Sequence, residues 1–317
     1  MGIKRSILNA MFLKSSSTPD PTSGIKNNPA AIKGHSDGPV RYNIMSNVVD
    51  VVAETPGFNF PGFPQALPTV MDTDKVEAEI LAFNQDGANS DAPGKRQISD
   101  ADLHELEELA QSLGTTRLGY CKLDPDFIFQ GEAILYTNAI VIAMKMEHDL
   151  LLLTPSKKTS VMYMVSYNEA SRAVLALANR MREMGYDCQP VPASVGPAVF
   201  PPIAARSGIG AVGRHGLMIV PEAGTSVRLS LILTDIENLP LPTEEECHKT
   251  ITAIQDYCAT CGKCLEVCPG EAIYEQPIDN GNGIVTHIDK SKCVVQFAQQ
   301  QGCGICLKFC PQINGSA

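Results

Sequence analysis

Eleven cysteines occur in 317 residues, and eight of them fall in two short runs. The first run, "CATCGKCLEVCP", has the spacing C-x2-C-x2-C-x3-C-P and comprises Cys258, Cys261, Cys264 and Cys268. In bacterial proteins this spacing ligates 4Fe-4S clusters through cysteine thiolates. The sequence therefore predicts an iron-sulfur centre and, with it, electron transfer.

The second run, "CVVQFAQQQGCGICLKFCP", comprises Cys293 and, after nine further residues, Cys303, Cys306 and Cys310. In a fold with two clusters, the fourth cysteine of each run ligates the cluster of the other run. This rule predicts one 4Fe-4S ligand set of Cys258, Cys261, Cys264 and Cys310, and a second set of Cys268, Cys293, Cys303 and Cys306. Zinc or disulfide bonds are the alternatives, although zinc typically takes two close pairs with a longer spacer.

Composition limits the classes of partner. Hydrophobic residues make up 44% of the chain and charged residues 19%, as in soluble folded proteins, and the formal net charge is -10. Because affinity for phosphates is carried by Lys and Arg, no nucleic acid partner is expected.

Charges interrupt the most apolar run, 139–153, so no membrane-spanning helix is predicted. No export signal is visible, and we expect a cytoplasmic protein, with membrane association only for a processed form.

The elements that must position an active site precede the cysteine runs in the sequence and lie between residues 98 and 240. Residues 98–113 are predicted to form a helix with a serine N-cap and leucines at helical spacing. The apolar runs 139–144 and 227–234 are predicted to be buried strands. Residues 168–185 are predicted to form an amphipathic helix that ends at a glycine. This alternation is typical of an α/β or α+β layer structure.

Composition also divides the chain into three segments. Residues 1–97 are predicted to be an irregular arm and surface segment, with a polar surface loop at 84–97. Residues 98–240 are predicted to form the folded core. The change to cysteine-rich loops after Pro240 marks 241–317 as a further domain.

A glycine pattern in "SGIGAVGRHG" invites a different interpretation. Gly208, Gly210 and Gly213 have the spacing of a dinucleotide-binding loop. That loop needs a strand before it and a helix opening at the glycines. The preceding residues, "PPIAAR", cannot form such a strand. The sequence therefore does not favour a dinucleotide site here.

Over roughly residues 98 to 312 the chain resembles the corrinoid-dependent reductive dehalogenases and their relatives, the epoxyqueuosine reductases. The resemblance is strongest over 163–235, which includes "ARSGIGAVGRHGLMIVPEAGTSVRLSLILTD", and at the cysteines. It implies an α+β fold, in which a nitroreductase-like α/β core (98–240) binds cobalamin and a C-terminal two-cluster ferredoxin domain (241–317) supplies electrons. It also implies an oxidoreductase that reductively dehalogenates a small organohalide. A low-potential electron donor, and in some cases a membrane anchor protein, would be its partners.

The same resemblance assigns roles to single residues. Tyr167, just before the predicted helix that closes with Gly185 and Tyr186, matches the family's proton donor, and Arg228 matches its basic partner. A guanidinium beside a phenol favours the phenolate, so a proton can pass near neutral pH to the carbon that loses its halide. The residues that the resemblance places at the corrinoid are Gly213, Arg214, His215 and Ser194, the last near the place of an amide side chain common in dehalogenases.

Plainer interpretations remain open. Without the resemblance, Tyr167 is an aromatic residue at a helix start, Arg228 a solvated strand charge, and Arg214 with His215 an exposed turn. The chain has no Trp, which is frequent in dehalogenase pockets, so the substrate class is less secure than the cofactor set. The alternative functions are an epoxyqueuosine-reductase-like tRNA enzyme, which the acidic balance disfavours, and a non-catalytic iron-sulfur electron carrier.

Overall fold

The computed structural model describes residues 25–42, 63–88, 93–281, 283–300 and 302–313. In chain order its strands are β1 (Ile32–Lys33), β2 (Thr115–Lys122), β3 (Ala133–Ile134), β4 (Asn138–Lys145), β5 (Cys188–Val191), β6 (Ala211–Val212), β7 (Met218–Ile219), β8 (Val227–Thr234), β9 (Ile273–Asp279) and β10 (Val285–Ile288). Its helices are α1 (Phe63–Ala88), α2 (Asp100–Ser112), α3 (His148–Leu151), α4 (Lys157–Glu183), α5 (Phe200–Arg206), α6 (Glu244–Cys261), α7 (Lys263–Val267), α8 (Lys290–Gln299) and α9 (Ile305–Lys308).

A four-stranded antiparallel sheet forms the centre, in the order β2-β4-β8-β5. The two predicted strands are confirmed as β4 and β8, the two inner strands. The helix predicted over 98–113 is confirmed as α2, whose N-cap hydroxyl on Ser99 accepts a hydrogen bond from the Asp102 backbone N–H. Both faces of the sheet are covered, which explains why β4 reads as an unbroken apolar run.

Alternate side chains of β4 enter two different cores, as the two-residue period of a strand requires. Ile140, Ile142 and Met144 pack on one side with buried residues of α1, α2 and α4. Ala139, Val141 and Ala143 pack on the other side with α5 and the loops around it. The sheet is thus held between two apolar layers.

The helix predicted over 168–185 starts earlier than expected. The structure has it as α4, from Lys157 to Glu183, with the Ser156 hydroxyl accepting from the Thr159 backbone N–H as N-cap. At its other end Gly185 adopts a left-handed conformation with φ of 89°, which confirms the glycine stop. The predicted start at residue 168 is wrong, and Tyr167 lies inside the helix instead of before it.

The prediction of an irregular N-terminal arm is wrong for residues 63–88. These residues form α1, which packs on α4 and buries Val76, Ile80 and Phe83 at helical spacing. The predicted surface loop at 84–97 is wrong for its first residues, because the buried Asn84 side chain donates to the carbonyl of Pro190. Within 25–42 the chain is mostly turns, and β1 pairs with β3. The rest of the predicted arm, 1–24, 43–62 and 89–92, lies outside the described residues.

The cysteine-rich segment follows a well-defined helix start. Thr243 and Glu246 form a reciprocal capping box at the start of α6. At the other end of α6, Gly262, with φ of 59°, turns the chain directly into α7, and α9 packs against α7.

No helix in the described part of the chain has the length and apolarity needed to cross a membrane. The mixed helix and strand architecture agrees with the predicted α+β class, whereas the nitroreductase and ferredoxin likenesses and the division at residue 240 stay predictions.

Candidate functional site

The first predicted ligand set converges on one small cavity, whose lining contains Cys258, Cys261, Cys264 and Cys310. The last turn of α6 carries Cys258 and Cys261, α7 carries Cys264, and Cys310 follows α9. Burial raises the pKa of Cys310 to about 11, and the neighbouring charges of Cys258, Cys264 and Cys261 raise it too. Thiols this close repel one another as thiolates, so they fit a group that supplies positive charge.

The second predicted set also comes together. Burial raises the pKa of Cys306, and the nearby charges of Cys303, Cys293, Cys268 and, from the first set, Cys264 raise it further. The backbone N–H of Ala272 donates to the Cys268 sulfur at 3.3 Å. The two sets therefore lie next to each other at Cys264 and Cys306.

The chemistry of these thiol donors fits iron-sulfur ligation. All eleven cysteines are free thiols, which removes the disulfide interpretation. A single zinc ion needs its ligands about 2.0–2.3 Å from the metal. In the described part of the chain, no three His, Cys, Asp or Glu side chains are grouped to hold one ion in that way.

Tyr167 and Arg228 are brought together from α4 and the start of β8. The Arg228 guanidinium lies over the face of the Tyr167 ring, with its Cζ 3.7 Å from the ring centre. Its Nε and Nη2 donate to the Ser166 hydroxyl at 3.2 and 3.0 Å, and Nη2 lies 3.3 Å from the Met146 sulfur. Arg228 is therefore held in place, and the interpretation as a solvated strand charge is wrong. Arg228 contacts Tyr167 at the face of the ring.

Sequence reasoning missed Tyr163, one helical turn before Tyr167 on α4. Its ring centre lies 6.0 Å from the Arg228 Cζ, and a Cβ built on Gly302 would lie 3.2 Å from its Cδ2. Burial raises the pKa of Tyr163 well above its ordinary value, Thr154 and Arg228 oppose that rise, and the charges of Cys306 and Cys303 add to it. Tyr163 thus joins the Tyr167 and Arg228 pair to the loop of the second cysteine set. The i, i+4 spacing of the two tyrosines was the available signal.

Gly213, Arg214 and His215 lie on a hairpin formed by β6 and β7, preceded by α5. This strand-turn-strand context confirms that the glycine pattern is not a dinucleotide loop. Arg214 and His215 line the cavity of the first cysteine set. His215 is only 3% exposed, and burial, helped by the charge of His287, lowers its pKa to about 4. The interpretation of His215 as part of an exposed turn is therefore wrong.

Ser194 lies elsewhere, beyond the end of β5. Its hydroxyl is hydrogen-bonded to the Glu77 carboxylate of α1. Burial raises the pKa of Glu77, and the Ser194 hydrogen bond opposes the rise. Because β5 runs antiparallel to β8, with Val191 opposite Leu231, Ser194 lies toward the Arg228 end of the sheet.

Comparison with known proteins finds reductive dehalogenases among the relatives of this chain. The tetrachloroethene reductive dehalogenase of Sulfurospirillum multivorans is 30% identical over 188 residues, which is 56% of this chain and 36% of that protein. That of Desulfitobacterium hafniense is 25% identical over 219 residues, covering 65% of this chain and 38% of that protein. The resemblance to the reductive dehalogenases is confirmed. The chain spans little more than a third of the length of these relatives, and no family model matches it.

Solved reductive dehalogenases share the fold. A catabolic reductive dehalogenase in complex with 3-bromo-4-hydroxybenzoic acid superposes with a TM-score of 0.63 at 18% identity, over 86% of this chain and 39% of that chain. A reductive dehalogenase described in terms of B12-dependent dehalogenation gives 0.59 at 19% identity, over 75% and 36%. An epoxyqueuosine reductase of Bacillus anthracis is 28% identical over 129 residues, 36% of this chain and 29% of that protein. The dehalogenase likeness therefore covers more of the chain.

One large cavity lies between residues 37–42, α5, β10 and α8. It measures about 920 Å³, near the upper end of small-molecule sites. Its lining includes Cys293 of the second cysteine set, so the cavity lies beside a predicted cluster ligand. The lining contains none of the residues predicted for catalysis or the corrinoid, namely Tyr167, Arg228, Gly213, Arg214, His215 and Ser194, so their contact with a corrinoid stays a prediction.

Proposed function

We propose that this chain carries the redox core of a reductive dehalogenase. It would take electrons from a low-potential donor through two 4Fe-4S clusters, held by the two cysteine sets, and use them at a corrinoid to remove halogen from a small organohalide. The observation that carries this proposal is the meeting of two cysteine sets beside Tyr163 and the Tyr167 and Arg228 pair, in a chain similar to tetrachloroethene reductive dehalogenases.

The overall reaction is balanced by two electrons and one proton. The carbon-halogen bond breaks, a carbon-hydrogen bond forms, and the halogen leaves as halide. The electrons come from the external donor through the clusters, whose accessible potentials extend to about -700 mV. The corrinoid supplies, when bound, a reduced metal centre that can deliver those electrons to the substrate carbon.

The proton is assigned to the Tyr167 hydroxyl. When that hydroxyl gives up its proton, negative charge develops on the phenolate, and the guanidinium of Arg228 over the ring stabilises that charge. The hydrogen bonds from Arg228 to Ser166 fix the guanidinium before the charge appears. Such a prearranged cation needs no rearrangement during proton transfer, which is the general advantage of electrostatic preorganisation.

The test is halide release by protein purified without oxygen and supplied with cobalamin and a chemical reductant. Tyr167→Phe removes the proton donor and keeps the ring under Arg228, so we expect its turnover to fall by about 10²-fold or more at unchanged iron content. Tyr136→Phe is the matched control, because Tyr136 is half-buried like Tyr167 and lies two residues before the end of β4 that pairs with Thr234, away from Arg228.

Two results would contradict the proposal. One is wild-type protein with full iron and cobalt that releases no halide from any of a panel of aryl and alkenyl halides. The other is a Tyr167→Phe variant that turns over within a few-fold of wild type, which would remove Tyr167 as the proton donor.

A further inference from the structure

The hairpin formed by β6 and β7 buries a polar atom without a partner. His215 Nε2 is inaccessible to solvent and has no hydrogen-bond partner among the described residues. An unsatisfied buried donor costs free energy, so its presence calls for a ligand. The imidazole belongs to the lining of the cavity formed by Cys258, Cys261, Cys264 and Cys310.

The hydrogen bonds of the ring define which nitrogen carries the proton. The backbone N–H of Leu217 donates to His215 Nδ1 at 3.1 Å. Nδ1 is therefore the acceptor, and in the neutral ring Nε2 must carry the hydrogen. His215 thus presents one N–H donor that is already oriented.

The neighbouring residues hold this donor in place. A Cβ built on Gly213 would lie 2.9 Å from His215 Cε1 and 3.1 Å from Nε2, so only glycine leaves room for the ring. The other basic residues at the cavity, Arg214 and Lys263, are already engaged. Arg214 Nη1 donates to the Glu275 carbonyl at 3.1 Å and its Nη2 to the Ala259 carbonyl at 3.4 Å, and Lys263 Nζ donates to the Glu266 carboxylate at 2.9 Å. In the hairpin, His215 is therefore the basic residue that keeps a buried N–H donor, at Nε2, with no partner among the described residues.

We propose that His215 donates its Nε2–H to a sulfur of the cluster held by Cys258, Cys261, Cys264 and Cys310, and so raises the reduction potential of that cluster. The inference rests on the proposed function only for the presence of that cluster. Reduction adds negative charge to the sulfurs, and a hydrogen-bond donor stabilises the more negative state. His215 is therefore a positioning and tuning residue, and its effect is confined to one of the two clusters.

Potentiometric titration followed by electron paramagnetic resonance tests this in the intact protein. In His215→Leu we expect the equilibrium constant for reduction of one cluster to fall at least tenfold, which for one electron corresponds to about 59 mV, while the other cluster keeps its potential. His215→Gln carries an amide N–H that can replace the donor, and it should move the potential back toward wild type. His148→Gln is the matched control, because His148 is another half-buried histidine with a ring nitrogen that has no partner among the described residues, and it lies outside the linings of both cavities.

A second measurement does not depend on His215→Leu, in case that variant does not assemble its clusters. With ¹⁵N-labelled histidine, the reduced cluster should show hyperfine coupling to one histidine nitrogen, and His215→Gln should abolish it. Clusters that assemble fully but keep both potentials in His215→Leu would overturn the proposal, as would a wild-type spectrum without histidine coupling. A wild-type protein that binds no iron would instead refute the proposed function itself, so the two failures are distinguishable.

Discussion

Gly224 provides a direct test of how the cysteine-rich segment is attached to the core. It lies between β7 and β8 with φ of 61°, and its N–H donates to the Val220 carbonyl. A Cβ at this position would fall far inside van der Waals distance of the carbonyl oxygens of Gln312 and Ile313. Ile313 is buried, and its N–H donates to the Cys310 carbonyl. Gly224→Ala must therefore push away the segment that holds the last ligand of the first cluster.

Two contributions set the expected size of the effect. The left-handed backbone costs an alanine roughly 1–2 kcal/mol. Displacing the Ile313 side chain from its apolar contacts with Met146, Leu151 and Leu307 costs about 1.5–3 kcal/mol more. We therefore expect Gly224→Ala to lower the free energy of unfolding by about 2.5–5 kcal/mol. Gly131→Ala is the matched control, since Gly131 has φ of 73° and a Cβ there would meet nothing within 4 Å.

The assay is anaerobic guanidinium unfolding of both variants, followed by circular dichroism and by the visible absorbance of the clusters. Gly131→Ala should show only the backbone cost and keep full iron content. Gly224→Ala should show the larger loss and release iron at lower denaturant concentration. Equal destabilisation of the two variants, with equal iron retention, would refute the inferred contact between residues 224 and 312–313.

Three further outcomes follow from the same structure. Cys306→Ser should lower iron by about four atoms per chain, whereas Cys121→Ser, outside both cysteine sets, should leave it unchanged in a colorimetric iron assay. Ile142→Ala, a fully buried position of β4, should lower the free energy of unfolding by about 2–5 kcal/mol in denaturant titration. The hydrogen bond from Tyr186 lowers the pKa of Asp102 below its ordinary 3.8, so its stabilisation is present above that value and is lost as pH falls through the lowered pKa. The stability difference between wild type and Asp102→Asn should therefore shrink as the pH falls below about 4.

Local sequence patterns predicted the elements whose cause is local. The unbroken apolar runs of β4 and β8 follow from burial on both faces, and the serine N-cap fixed the start of α2. The two cysteine sets were predictable because cluster ligation imposes a short, fixed spacing. In the structure the members of each set lie near one another, and their assignment as cluster ligands stays a prediction.

Features that depend on tertiary packing were harder to predict. α1 carries Pro68 and only a weak amphipathic pattern, and it is secured by packing on α4. The first turns of α4 mix Lys, Thr and Ser with apolar residues, so its start at Lys157 depends on the Ser156 cap and on burial. His215 was predicted to lie near a corrin ring, and its place beside the first cysteine set is decided by the hairpin of β6 and β7. Nothing in the local sequence of that hairpin specifies which neighbour it will face.

Metal content of the protein, purified without oxygen from a host supplied with cobalamin, tests the central claim most directly. The account predicts about eight irons, eight sulfides and one cobalt per chain, as two 4Fe-4S clusters and one corrinoid require. Four irons or fewer, or zinc in their place, would contradict the two-cluster assignment. Eight irons without cobalt would contradict the corrinoid and leave an iron-sulfur electron carrier as the better description.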